Sequence, residues 1–229
     1  MAKFHFVEDY ERHVTALTAA YPIDEAMSLA VGGHFGLIGA IELGILRHVG
    51  LRPGASVFDL GCGSGRLAVA LSDSGIVSEY VGTDVVKALL DYAATKCRPG
   101  FRFLLNRELT IPIPSKSVDI ACAFSVFTHL LHHESFIYLE EMRRVIRPSG
   151  RIVFSFLEFA EAGHWSIFEQ TVRTQRGGEN PPLNQFIERN VIEVWAAHLG
   201  LKLETIIDGS TDTGSGALGQ ATAVLSENP

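Results

Sequence analysis

Apolar residues along this chain recur first at helical spacing and then, from Val57 onward, in short unbroken runs separated by helical segments. Val7, Tyr10, Val14 and Leu17 predict a helix over 8–20, which Tyr21-Pro22 ends because a residue before proline is pushed out of the helical region. A second helical segment runs from Asp24 to Leu29, Val31-Gly32-Gly33-His34 interrupts, and Leu37 to Val49 is helical and markedly apolar. Beyond this leader the pattern becomes that of a parallel α/β sheet. Strands are expected at Ser56–Leu60, Glu79–Asp84, Phe101–Leu105, Val118–Phe124 and Arg151–Leu157, with helices to about Ser72, over Val85–Lys96 and over Ser135–Ile146. Val118–Phe124 is apolar almost throughout, as a central strand covered on both faces should be.

The end of the chain reads differently. A helix over Phe186–Leu199 is closed by Gly200. Leu201–Ile207 and Gln220–Leu225 are then two strands joined without a helix, so they should pair antiparallel. The Gly-, Ser- and Thr-rich linker 208–219 is expected to be mobile. Residues 158–184 form a less regular insertion leaving the carboxyl end of a strand. An excursion of that length is either a substrate lid or a loop without a role, and His164 and Trp165 are its candidate contact residues.

The chemistry concentrates where the first strand ends. Val57-Phe58-Asp59-Leu60 runs into Gly61-Cys62-Gly63-Ser64-Gly65-Arg66 and then directly into a helix. Alternating glycines let the backbone turn sharply and approach a ligand, and the first amides of the following helix point at whatever lies over the turn. A nicotinamide dinucleotide fold is the rival reading, but its G-x-G-x-x-G fingerprint needs glycine where this chain has Arg66. Asp84 ends the second strand 19 residues past Gly65, where a carboxylate can accept both hydroxyls of a ribose; the other reading is a helix N-cap.

The D-x-G-x-G-x-G stretch Asp59–Gly65 resembles the first motif of the class I S-adenosylmethionine-dependent methyltransferases. The resemblance extends over about residues 53–226. It includes Ile111–Asp119, similar to the family's L-P-x-x-x-x-S-x-D segment, Ser125-Val126-Phe127-Thr128-His129-Leu130 and the Arg147-Pro148-Ser149-Gly150 turn. It implies a single domain over 1–229, with an N-terminal helical cap (1–50) and an α/β core (53–226) carrying the 158–184 insertion. That core would be a seven-stranded, mostly parallel, doubly wound sheet with a C-terminal antiparallel hairpin strand.

It also implies S-adenosyl-L-methionine as cofactor. Asp59, Gly61, Cys62, Gly63 and Gly65 would cradle its methionine end, with Asp59 toward the ammonium. Asp84 and Val85 would meet the ribose, Ser125 would stand at the pocket rim, and Asn106 would replace the acid that many members place against adenine. An Asn can both accept from the adenine amino group and donate to a ring nitrogen, whereas the neighbouring Arg107 cannot accept at all and should stack or lie in solvent. His129 is the candidate general base, its other reading being a helix-edge histidine bonded to backbone. Tyr21, His34 and Phe35 are the cap residues that would touch ligand, unless they only pack a helix junction. His132 and His133 read as surface residues.

Composition narrows the acceptor. A net charge of -7 and a sequence pI near 5.7 speak against a nucleic-acid surface. The acidic or amide residue followed by two prolines and an aromatic, carried by relatives that methylate adenine or glutamine, is absent after strand four. The resemblance therefore implies transfer to an oxygen, or a nitrogen or carbon, of a small molecule such as a sugar or secondary metabolite. The rivals are a protein that binds the cofactor without transfer, or a nicotinamide oxidoreductase. Three scattered cysteines, Cys62, Cys97 and Cys122, read as reduced core thiols rather than metal ligands. With no signal-like start and no long apolar stretch, the expectation is a cytoplasmic protein without a membrane partner; nothing in the pattern speaks to oligomeric state.

Overall fold

A computed structural model describes residues 7–178 and 183–228. Its strands are β1 (Ala55–Leu60), β2 (Val77–Asp84), β3 (Arg102–Leu105), β4 (Val118–Ala123), β5 (Ile146–Phe156), β6 (Leu201–Ile207) and β7 (Ala221–Glu227). They form one seven-stranded sheet in the order β3-β2-β1-β4-β5-β7-β6. The first five strands pair in parallel, and β7 runs antiparallel to both β5 and β6, as their helix-free connection requires.

Strand alternation divides the core in two. Phe58, Leu60, Ala121 and Ala123 point into one layer with α6 (His132–Val145) and α8 (Arg189–His198). Val57, Ile120 and Cys122 point into the other, with α3 (Phe35–His48) and α4 (Arg66–Ser74). α3 reaches α4 at very close range: a Cβ on Gly39 would stand 2.4 Å from the Arg66 carbonyl oxygen. α1 (Val7–Ala20) and α2 (Ile23–Leu29) complete the cap, packing Val14, Met27 and Ala30 against Leu89 of α5 (Lys87–Lys96).

Several local expectations are corrected. β5 starts at Ile146 rather than Arg151, absorbing the Arg147–Gly150 turn as a register break between the pairs Val118/Ile146 and Ile120/Arg151, with Ser149 at φ 69°. The insertion is not irregular: it carries a 15-residue helix, α7 (Ala162–Arg176), whose His164, Ile167, Phe168, Thr171 and Val172 turn inward at helical spacing. Its residues 179–182 lie outside the described region. Phe186 belongs to a bridge with Leu157 rather than to α8, which starts at Arg189. The 208–219 linker folds on itself: Asp212 Oδ1 accepts from the N–H groups of Gly214 and Gly216 at 2.7 and 2.8 Å, and Asp212 bridges Ala217.

Candidate active site

A cavity of about 350 Å³ opens above the carboxyl ends of β1 and β4, where neighbouring crossovers run to opposite sides and parallel sheets bind ligands. The glycine turn forms its floor. Gly61 and Gly63 hold φ of 67° and 55°, and Gly65 N–H closes the turn on the Cys62 carbonyl at 3.0 Å. The cap presses on the turn from above. A Cβ on Gly63 would lie 2.7 Å from Val31 Cγ1, and Ser64 Oγ donates to the Met27 carbonyl at 2.8 Å.

Asp84 stands beside the turn at the end of β2. Its two oxygens accept from Gly63 N–H at 3.0 Å and Val86 N–H at 2.9 Å, and burial outweighs these donors in raising its pKa. The N-cap of α5 is Val86, so the capping reading of Asp84 does not describe it. Asp59 is buried, accepts the Tyr80 hydroxyl at 2.7 Å, and does not line the cavity. Burial pushes its pKa up to about 7. Beneath it Glu42, likewise buried and pushed up to about 8, pairs with Arg66, whose guanidinium also donates to the Val31 carbonyl at 2.7 Å.

Farther along the cleft, Val85 and Asn106 line the end toward β3. The Asn106 side chain shapes its own loop, accepting from Glu108 N–H at 3.3 Å. Arg107 is exposed, as expected, and there donates to the Val85 carbonyl at 2.9 Å and pairs with Glu11 of α1. On the opposite side stand Phe124, Ser125, Val126 and His129. His129 Nδ1 lies 2.9 Å from the Leu183 carbonyl; a carbonyl only accepts, so in the neutral ring Nδ1 carries the proton and Nε2 keeps its lone pair.

The expected substrate residues are not brought here. Tyr21 and Trp165 are exposed, His34 is an exposed residue in the left-handed region, and none lines the cavity. His164 is fully buried away from it, accepting from Glu158 N–H at 3.0 Å and donating to the Gly219 carbonyl at 3.0 Å. Cys62 is buried behind the turn, against Gly82. His132 is exposed, as expected, with Nε2 3.0 Å from the Phe186 carbonyl.

Sequence reasoning missed Tyr10, Val31, Arg66, Tyr138 and Gln220, all of which line the cavity. Only Arg66 carried a signal, being the charged residue that opens the helix after the last glycine.

Comparison with known proteins agrees with this geometry. Residues 58–154 match the methyltransferase domain family. The chain is 37% identical over 108 residues to an uncharacterized 37.1 kDa protein in a Streptomyces fradiae transposon, a match covering 44% of this chain and 30% of that one. It is 35% identical over 107 residues to a demethylmenaquinone methyltransferase of Deinococcus radiodurans, covering 45% and 42%. The chain thus spans less than half the length of these two relatives. Among solved structures it resembles magnesium protoporphyrin IX methyltransferase from Synechocystis PCC 6803 with bound SAH, at TM-score 0.66, 15% identity and coverage of 98% and 97%. Residues 58–154 thus carry a methyltransferase domain match, and the strand order with a glycine turn at its switch point is the fold shared with that methyltransferase structure.

Proposed function

We propose that this protein transfers a methyl group to a hydroxyl oxygen of a small molecule, with His129 as general base. The observation that carries the reading is His129, locked by Leu183 into the tautomer with an open Nε2, on the wall of the same cleft that holds the glycine turn and Asp84. When bound, S-adenosylmethionine supplies an electrophilic methyl on a sulfonium. The turn amides face its amino-acid end, Asp84 takes the ribose hydroxyls, and Asn106 closes the adenine end. Transfer of that methyl to a hydroxyl oxygen would release the hydroxyl proton, which Nε2 of His129 would take. Holding donor and acceptor in line, with water excluded by the cap, is the protein's largest contribution.

The net negative charge supports a small acceptor over nucleic acid. Relatives named demethylmenaquinone methyltransferase and ubiquinone/menaquinone biosynthesis C-methyltransferase support a quinone-type small acceptor, and the second name favours a carbon acceptor as the second reading. The test is production of S-adenosylhomocysteine from labelled cofactor across a panel of phenols, sugars and amines. Turnover with hydroxyl acceptors supports the reading; tight cofactor binding with no turnover on any of them would leave a binding protein instead.

A further inference from the structure

Gln220 stands one residue before β7 and lines the cleft. Its side chain is gripped from behind. Ser125 N–H donates to Ser155 Oγ at 2.7 Å, so the Ser155 hydroxyl sends its own proton to Gln220 Oε1, also at 2.7 Å. Ser125 Oγ donates to the same oxygen at 3.3 Å. Oε1 is the atom that faces both serine hydroxyls, and the NH2 group is the end left for the cleft. Ser125 sits at φ 58°, a conformation uncommon outside glycine, and in it both its N–H and its hydroxyl serve this cluster.

Strand order says what that amide meets. Asp84 and Asn106 end β2 and β3 on one side of the glycine turn, whereas Gln220 lies on the other side, beyond β4 and level with the end of β5, where Ala221 pairs with Phe156. A ligand anchored at Asp84 and the turn leaves that side to the second reactant. Phe124, Val126 and Leu130 supply apolar wall there, beside His129.

We propose that Gln220 recognises the methyl acceptor by donating to an unprotonated oxygen of carbonyl type. The acceptor class is then a hydroxylated compound that also carries a carbonyl, its hydroxyl toward His129 and its carbonyl toward Gln220, rather than a plain alcohol or amine. This rests on the methyltransferase reading above and adds its substrate class.

The experiment is calorimetric titration of protein loaded with S-adenosylhomocysteine, using 3-hydroxyacetophenone and 3-isopropylphenol, which match in shape but differ in the carbonyl. Wild type should bind the ketone about tenfold more tightly, the value of one added hydrogen bond in a dry site. Gln220→Glu keeps an acceptor for both serines but turns the donor into an acceptor; it should abolish the preference and leave S-adenosylhomocysteine affinity unchanged. Gln220→Met should do the same without a carboxylate, in case that charge unfolds the chain. Equal binding of the two probes to wild type, or a preference that persists in both variants, overturns the inference. So does loss of S-adenosylhomocysteine affinity in the variants, which would assign Gln220 to the cofactor's carboxylate. Failure of wild type to bind S-adenosylhomocysteine at all would remove the methyltransferase reading first, and this inference with it.

Discussion

Arg66 and Glu42 form a buried ion pair, 3.3 Å apart, that joins the first residue of α4 to the middle of cap helix α3. Arg66 is the one cation in a cluster that also holds buried Asp59. Its removal leaves two carboxylates without a counter-charge in the interior. Above about pH 8, where Glu42 is ionised, Arg66→Met should lower stability by about 3 kcal/mol, and adding Glu42→Gln should recover much of that loss, because the cost lies in the uncompensated charge. Urea denaturation of the two variants measures it; equal stability of the single and double variants would argue against the pair.

The same cluster sets a pH dependence. Glu42 and Asp59 have folded pKa values raised to about 8 and about 7, so the folded state holds protons that the unfolded chain has released. Stability from a raised pKa is complete below the unfolded value and is lost as pH climbs through the folded one. Unfolding free energy should therefore fall between about pH 5 and pH 8, by up to about 1.4 kcal/mol per pH unit for each proton. Denaturation curves at several pH values should show this slope in wild type and a shallower one in Glu42→Gln.

Asp84 anchors Gly63 and Val86 and, in the proposed function, also takes the ribose hydroxyls. Asp84→Asn preserves the shape but loses the charge, and should weaken S-adenosylhomocysteine by about 2 kcal/mol, the scale of a charge-assisted hydrogen bond, with the circular dichroism spectrum intact. Wild-type affinity in calorimetry would confine Asp84 to holding the turn.

His129→Ala should reduce kcat by about a hundredfold or more while S-adenosylhomocysteine binds as before. The comparison needs a turned-over acceptor, and an unchanged rate would show that the sulfonium is reactive enough without a base.

Gly39→Ala drives a methyl group toward the Arg66 carbonyl, where a Cβ has only 2.4 Å. Despite alanine's better helix propensity, overpacking should cost about 1–3 kcal/mol and loosen α3 from the turn. A melting temperature at or above wild type would show that α3 can slide without cost.

The sheet was legible because its signals are local: the apolar run of β4, the glycines after Asp59 and the helix-free link before β7 each act over a few residues. α7 was not, because its inward stripe of His164, Ile167, Phe168, Thr171 and Val172 is diluted by polar members and flanked by glycines. At the site, residues next to a motif were found and those brought in from afar were not. Tyr10 reaches the cleft from α1 and Gln220 from the far end of the chain, and no spacing rule connects either to the turn. His164 misled for a related reason: a histidine in an insertion reads as chemistry, yet both its nitrogens bond backbone and splice α7 to the segment before β7.

β7 follows β6 in sequence but lies between β5 and β6 in the sheet. During synthesis, β5 therefore waits with an open edge, its apolar Ile152, Val153 and Phe154 already made, until the chain has been extended through residue 221 and beyond. β6 cannot close that edge alone, since its partner in the sheet is β7. An open apolar edge is a template for other chains, and such long-range pairing is slow to form. A nascent chain halted within the 208–219 linker is thus both sticky and without Gln220, so exposure to aggregation ends only after the acceptor side of the cleft has gained that residue.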